Sequence, residues 1–143
     1  MEIFQAIRKD HEKQRLLMKI LVETSGDCES RQDFFSQLKE ELKQHAKAEE
    51  RHFYSPLMES NKTIEESRHG IAEHHEIEEI VDKLEKTDMS SSAWLHYMKK
   101  LQELVLHHLD EEEQTFFKHA DAVLSDKQKD ELAKDYEHEM QDL

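Results

Sequence analysis

Two short patterns carry the chemistry legible in this chain, His45-x-x-x-Glu49 and His108-x-x-x-Glu112. A spacing of four puts both side chains on one face of a helix, close enough to share a metal ion. Each pair continues an apolar stripe: Leu38–Leu42–His45–Glu49–Phe53 in one, Leu101–Val105–His108–Glu112–Phe116 in the other. The ligating groups therefore face an interior. His11 and His74 fall on two further apolar stripes. Burying an unpaired carboxylate costs several kcal/mol. Two buried glutamates and four buried imidazoles facing one axis need a compensating charge, which a pair of metal ions supplies. The competing reading is a core in which the histidines simply hydrogen-bond to the glutamates, and six groups falling in register weigh against it.

Neighbouring residues offer a second register, His107 with Glu111 and His75 with Glu79. Periodicity separates the two. His107 shares a face with Lys100, Glu103 and Gln114, whereas His108 shares one with Leu101 and Val105. His75 tracks Glu78, Glu79 and Asp82, whereas His74 tracks Ile77, Val81 and Leu84. His52, His69, His75, His96, His107, His119 and His138 read as solvated residues of polar faces and helix ends.

The elements that must position these groups are helices. Only two glycines and one proline punctuate the 143 residues, too few for a turn-rich β fold. Apolar residues recur at three- and four-residue steps in four long stretches. The first runs from about Ile3 to Thr24, with Gly26 beyond its end, and the second from about Ser30 to Leu57, with Pro56 near its exit. The third opens with Thr63 and Glu66, read as a capping box, and the fourth follows Asp88–Ser92. A shorter fifth helix, over about 125–140, opens with Ser125 and Gln128 as a second capping box. The predicted fold is all-α, with short connections that make neighbouring helices antiparallel. The chain also repeats itself at an offset of 63 residues, which maps His11, His45 and Glu49 onto His74, His108 and Glu112. Two similar hairpins packed face to face make a bundle with an approximate two-fold axis.

Composition narrows the partners. The net charge of −14 repels nucleic acid and anionic lipid, so neither is expected. No apolar run reaches the length of a membrane span, and residues 1–20 lack the apolar region of a secretion signal. The single cysteine, Cys28, reads as a free surface thiol and fits a reducing cytoplasm.

Asp10-His11, His45-x-x-x-Glu49-Glu50 followed by Phe53-Tyr54-x-Pro56, Glu73-His74, and His108-x-x-x-Glu112-Glu113 followed by Phe116-Phe117 together resemble the hemerythrin HHE cation-binding family over about residues 1–120. The length reads as one domain over residues 1–143, with the short fifth helix at its C-terminal side. The resemblance implies an up-down-up-down four-helix bundle. It implies two non-haem iron ions, oxo- or hydroxo-bridged, with His11, His45, His74 and His108 as ligands and Glu49 and Glu112 bridging. Oxygen carriers of the family place a second histidine four residues before the third-helix ligand, where this chain has Gly70, and an aspartate five after the fourth-helix histidine, where it has Glu113. Gly70 reads either as close helix packing or as an open coordination position. Imidazole and carboxylate donors suit iron, manganese and zinc, and favour iron when two carboxylates bridge a redox pair. The expected function is to bind, sense or react with oxygen, peroxide or nitric oxide, with a peroxidase- or catalase-like activity as one use. Reversible oxygen storage, iron buffering and a metal-stabilised interaction module are the alternatives.

Overall fold

The computed structural model describes residues 2–26 and 28–141. These residues are helical throughout their long segments and include no strand. Helix α1 (Ile3–Val22) is followed by α2 (Glu29–Glu49), α3 (Ile64–Glu85), α4 (Ser92–Glu111) and α5 (Asp126–Gln141). α1 packs beside α2 and α4, and α3 completes the ring between them, while α5 lies across α1 and α2. The four long helices thus form the bundle and the fifth covers one of its faces.

Two apolar clusters fill the bundle, one at each end. Leu38, Met98, Leu101 and Trp94 belong to the first, and Phe53, Ile7, Leu57 and Tyr136 to the second. Fully burying a large apolar side chain contributes roughly 1.5–3 kcal/mol, so these clusters fix the helix register and leave a polar layer between them.

Helices α2 and α4 do not stop at their glutamates. α2 continues through a π-helical turn (Glu50–Tyr54) and a short α segment (Ser55–Leu57). α4 continues through a π-helical turn (Glu112–Phe116) and a segment Phe117–Val123. The Ser55 and Phe117 N–H groups donate to the carbonyls of Glu50 and Glu112, five residues back. The wider turn brings two consecutive aromatic residues inward on each helix, Phe53 with Tyr54 and Phe116 with Phe117. Such turns are rare and concentrate at functional sites.

The helix starts differ in part from their sequence signals. Ser125 and Gln128 form the expected reciprocal cap, at 3.1 and 2.8 Å. Thr63 does not cap α3 with its side chain. Its hydroxyl donates instead to the Leu57 carbonyl at 2.6 Å, and Glu66 pairs with His119. Cys28 is half-buried rather than a surface thiol, and its sulfur accepts from the Arg31 N–H at the start of α2. None of the helices described is long and apolar enough to cross a membrane.

Candidate metal centre

The polar layer contains all six residues singled out by the sequence patterns. His11, His45, Glu49, His74, His108 and Glu112 are buried, one or two from each bundle helix. Their donor atoms fall into two groups: His11, His45, Glu49 and Glu112, then Glu49, His74 and His108. Glu49 belongs to both. Glu112 presents one oxygen to His11 Nε2 at 3.3 Å and the other to His108 Nε2 at 3.7 Å. The competing register is solvated, with His75 and His107 exposed on the outer surface.

Every imidazole turns the same way. Nε2 points into the layer, and Nδ1 is held from outside by a group on another helix. Glu113 holds His11 at 2.6 Å, Glu50 holds His74 at 2.7 Å and Glu73 holds His108 at 2.8 Å. His45 Nδ1 meets the Tyr136 hydroxyl at 2.5 Å, and that hydroxyl donates in turn to Asp10. Asp10 itself stays 3.6 Å from His45, since it is one methylene shorter than its repeat partner Glu73. An outer acid that fixes the ring and its tautomer is the usual support of a metal-bound histidine. The links close into a ring: α1 supports the histidine of α2, α2 that of α3, α3 that of α4, and α4 that of α1.

The inward atoms are left without hydrogen bonds. His11 Nε2, His45 Nε2, His74 Nε2, both oxygens of Glu49 and Glu112 Oε1 are buried and unpartnered. His74 Nε2 nevertheless lies 3.1 Å from Glu49 Oε1. Two ligands on one six-coordinate ion, with bonds of about 2.1 Å, sit about 3 Å apart. Close approach without hydrogen-bond alignment is the spacing that such an ion would require.

Charge agrees with geometry. Six carboxylates surround the four imidazoles: Asp10, Glu49, Glu50, Glu73, Glu112 and Glu113. Burial disfavours the charged form of His11 and His45, but Glu112 and Glu113 hold His11 above its ordinary pKa, and Glu49 and Asp10 hold His45 well above it. Burial acts likewise on His74, yet Glu49 and Glu50 raise it to about 9. Burial and the neighbouring Glu49 raise Glu112, while facing His45 overcomes burial and lowers Glu49. Protons thus take the place that cations would fill.

Tyr54, read in the sequence only as part of an aromatic motif, also reaches the centre. The Tyr54 hydroxyl donates to Glu112 and lies 3.5 Å from His108 Nε2. A Cβ built on Gly70 would meet the Tyr54 ring at 2.5–2.7 Å. The open-position reading of Gly70 is thereby corrected: the glycine makes room for this tyrosine, which occupies the space. The repeat partners are Phe117 and Ile7, a ring without a hydroxyl beside a bulky residue. Gly70→Ala is expected to lose about 1–3 kcal/mol to overpacking, set against about 1 kcal/mol gained in helix propensity. A melting temperature a few degrees lower, read by calorimetry, is the expected result; a rise would show that the ring yields freely.

Among known proteins, the hemerythrin HHE cation binding domain matches residues 2–120, most of the chain and all four bundle helices. The chain belongs to the hemerythrin HHE cation-binding family. The fold agrees with the crystal structure of an HHE cation-binding domain-containing protein from Mycobacterium kansasii, at a TM-score of 0.88 and 22% identity, over 99% of this chain and 86% of that one. A protein of Nostoc sp. named a DNA nickase is 27% identical over 136 residues, which is 95% of this chain and 38% of the relative. The chain therefore spans little more than a third of that relative. HHE domains bind metal cations, and the buried His/Glu layer is where this member has the groups to do so. The match ends before α5, yet α5 supplies Tyr136 to the layer. The sequence did carry a signal for the outer acids, since Asp10, Glu50, Glu73 and Glu113 each adjoin a predicted ligand and repeat at the same offset. It carried none for Tyr136, which has no repeat partner.

Proposed function

We propose that this chain is a non-haem di-iron protein that binds, senses or reacts with oxygen, peroxide or nitric oxide. The observation carrying this reading is the set of inward Nε2 atoms and glutamate oxygens that have no hydrogen-bond partner although each imidazole is fixed from behind. His11, His45, His74, His108, Glu49 and Glu112 would hold the irons, with Glu49 and Glu112 shared between them. Two ferric ions would balance the six surrounding carboxylates. Tyr54 stands beside the group of Glu49, His74 and His108, and its hydroxyl holds the Glu112 oxygen that faces His108.

Bound iron supplies reversible one-electron chemistry and open positions for a small ligand. The chain supplies the approach. A cavity of about 550 Å³ runs between α2 and α3, walled by Leu42, Ile77, Val81 and Val105 and ending on His45, His74 and His108. Gln14 also lines it, and its buried amide nitrogen has no partner. That donor is placed to hold a small oxygen-bearing ligand.

Metal analysis of protein made in iron-supplemented cells, with spectra taken before and after admitting air, tests the reading. About two irons per chain are expected, and a value near one or zero counts against the bridged pair. Catalytic loss of peroxide at substoichiometric protein identifies reaction. An oxygenated spectrum that reverses on degassing identifies storage instead.

The relative named a DNA nickase gives no reason to place nucleic acid on this surface, because a net charge of −14 opposes it. Retention of the purified chain by duplex DNA at low salt would overturn that reading.

Outer support should matter measurably. Tyr136→Phe keeps the packed ring but removes both of its hydrogen bonds to the layer. Metal affinity is expected to fall about 10-fold or more, the usual loss when the group behind a metal-bound histidine is removed. Competition with a chelator measures it, and unchanged affinity would show that Asp10 supports His45 without the bridge.

A further inference from the structure

The repeat is broken where α3 and α4 meet the solvent. On the α1/α2 face, Ala6 and Ala48 are buried, and α5 seals that face. Their partners at the 63-residue offset are His69 and Glu111. Gln44 likewise bonds the Glu139 carbonyl of α5, and its partner is His107. Two small apolar residues on the covered face are thus replaced by metal-ligating types on the open one.

His69, Glu73 and Glu111 converge there. His69 Nε2 lies 3.4 Å from Glu73 Oε1 and 3.3 Å from Glu111 Oε1. The other oxygen of Glu111 faces His107 Nε2 at 3.2 Å. A tetrahedral ion with bonds of about 2.1 Å sets its donor atoms about 3.4 Å apart, which matches the first two separations. The spacing is again His-x-x-x-Glu, now twice, on adjacent helices. Glu73 is the link inward, since the same Oε1 accepts from His108 Nδ1 at 2.8 Å. A narrow cleft of about 20 Å³, room for one water or ion, joins His69 and Glu111 to His108 and Glu112.

We propose that His69, Glu73 and Glu111 form an outer site for a divalent transition-metal ion, through which ions pass to the buried centre. Borderline nitrogen and oxygen donors select ions such as ferrous iron, zinc or manganese over calcium. The transfer part rests on the di-iron reading above; the binding part does not.

The test compares the wild type with His69→Ala/Glu111→Gln, two solvent-facing positions outside the buried layer, using His96→Ala as the control for a surface histidine away from both sites. Zinc titration of the iron-loaded proteins is expected to give one further equivalent in wild type and control, and none in the double variant. Apo-protein given ferrous iron is expected to load several-fold more slowly in the double variant and to reach the same final content. No extra equivalent in the wild type, or an equal one in the double variant, overturns the site. Equal loading rates overturn the passage of ions through it. If the buried centre holds no iron in either protein, the di-iron reading fails, while the one-equivalent zinc difference still decides the outer site. Circular dichroism confirms that the variants are folded.

Discussion

Stripping the metal from loaded protein is expected to lower its melting temperature by about 6–20 °C. Without cations, Glu49 and Glu112 remain buried among unpartnered nitrogens. Breaking such a buried arrangement costs about 3–5 kcal/mol, at roughly 2–4 °C per kcal/mol for a chain of this size. Protonated imidazoles recover part of the loss, which gives the apo-protein its own pH dependence. His74 is raised from 6.5 to about 9 in the fold. Its contribution to apo stability is therefore complete below about pH 6.5 and disappears as the pH rises through about 9. Loading reverses this dependence, because the ions displace those protons. At pH 7 protons should be released on loading, that of His74 among them, and affinity should climb toward pH 9. Calorimetry of both forms and a pH-stat during loading measure the two effects. Equal melting temperatures, or loading without proton release, would place the metal elsewhere.

His108→Ala is expected to abolish metal binding, while its neighbour His107→Ala is expected to retain it. His108 is buried, points Nε2 at Glu112 and is fixed by Glu73, so nothing replaces its nitrogen. His107 is exposed and faces the rim residue Glu111. The same contrast holds for His74 against His75. Metal content and the iron absorption bands report the difference. A more damaging His107→Ala would mean that the fourth helix is turned by one residue from the register described.

Both the fold and the inner layer were legible because they rest on periodicity. A buried stripe repeats every three or four residues, and a ligand on it cannot be shifted by one position without leaving the core, which is how His108 separates from His107. The 63-residue repeat carried the same assignment twice. What was not legible depended on contacts between distant segments. Nothing around Gly70 shows that Tyr54, sixteen positions earlier, would fill its space, since that placement depends on a π-helical turn. Tyr136 sits on a polar-rich helix with few apolar residues, and only the packing of α5 across α1 and α2 brings its hydroxyl to His45. The Thr63–Glu66 pair misled because a buried carbonyl, that of Leu57, competed for the hydroxyl.

The ring of supports has two links within hairpins and two between them, so a hairpin paired with its own copy would close the same ring. In a symmetric pair every substitution appears twice. Joining the halves in one chain releases each position from its twin, and the differences show where that freedom was used: Asp10 against Glu73, Phe117 against Tyr54, Ala6 and Ala48 against His69 and Glu111. One half of the layer lies under a sealing helix, beside a phenyl ring, with a bridged hydrogen bond behind His45. The other lies beside a phenol near an open face, with direct carboxylate contacts behind His74 and His108. A repeated plan thus yields two chemically unequal places, and on the di-iron reading proposed above a ligand arriving there would meet a built-in direction.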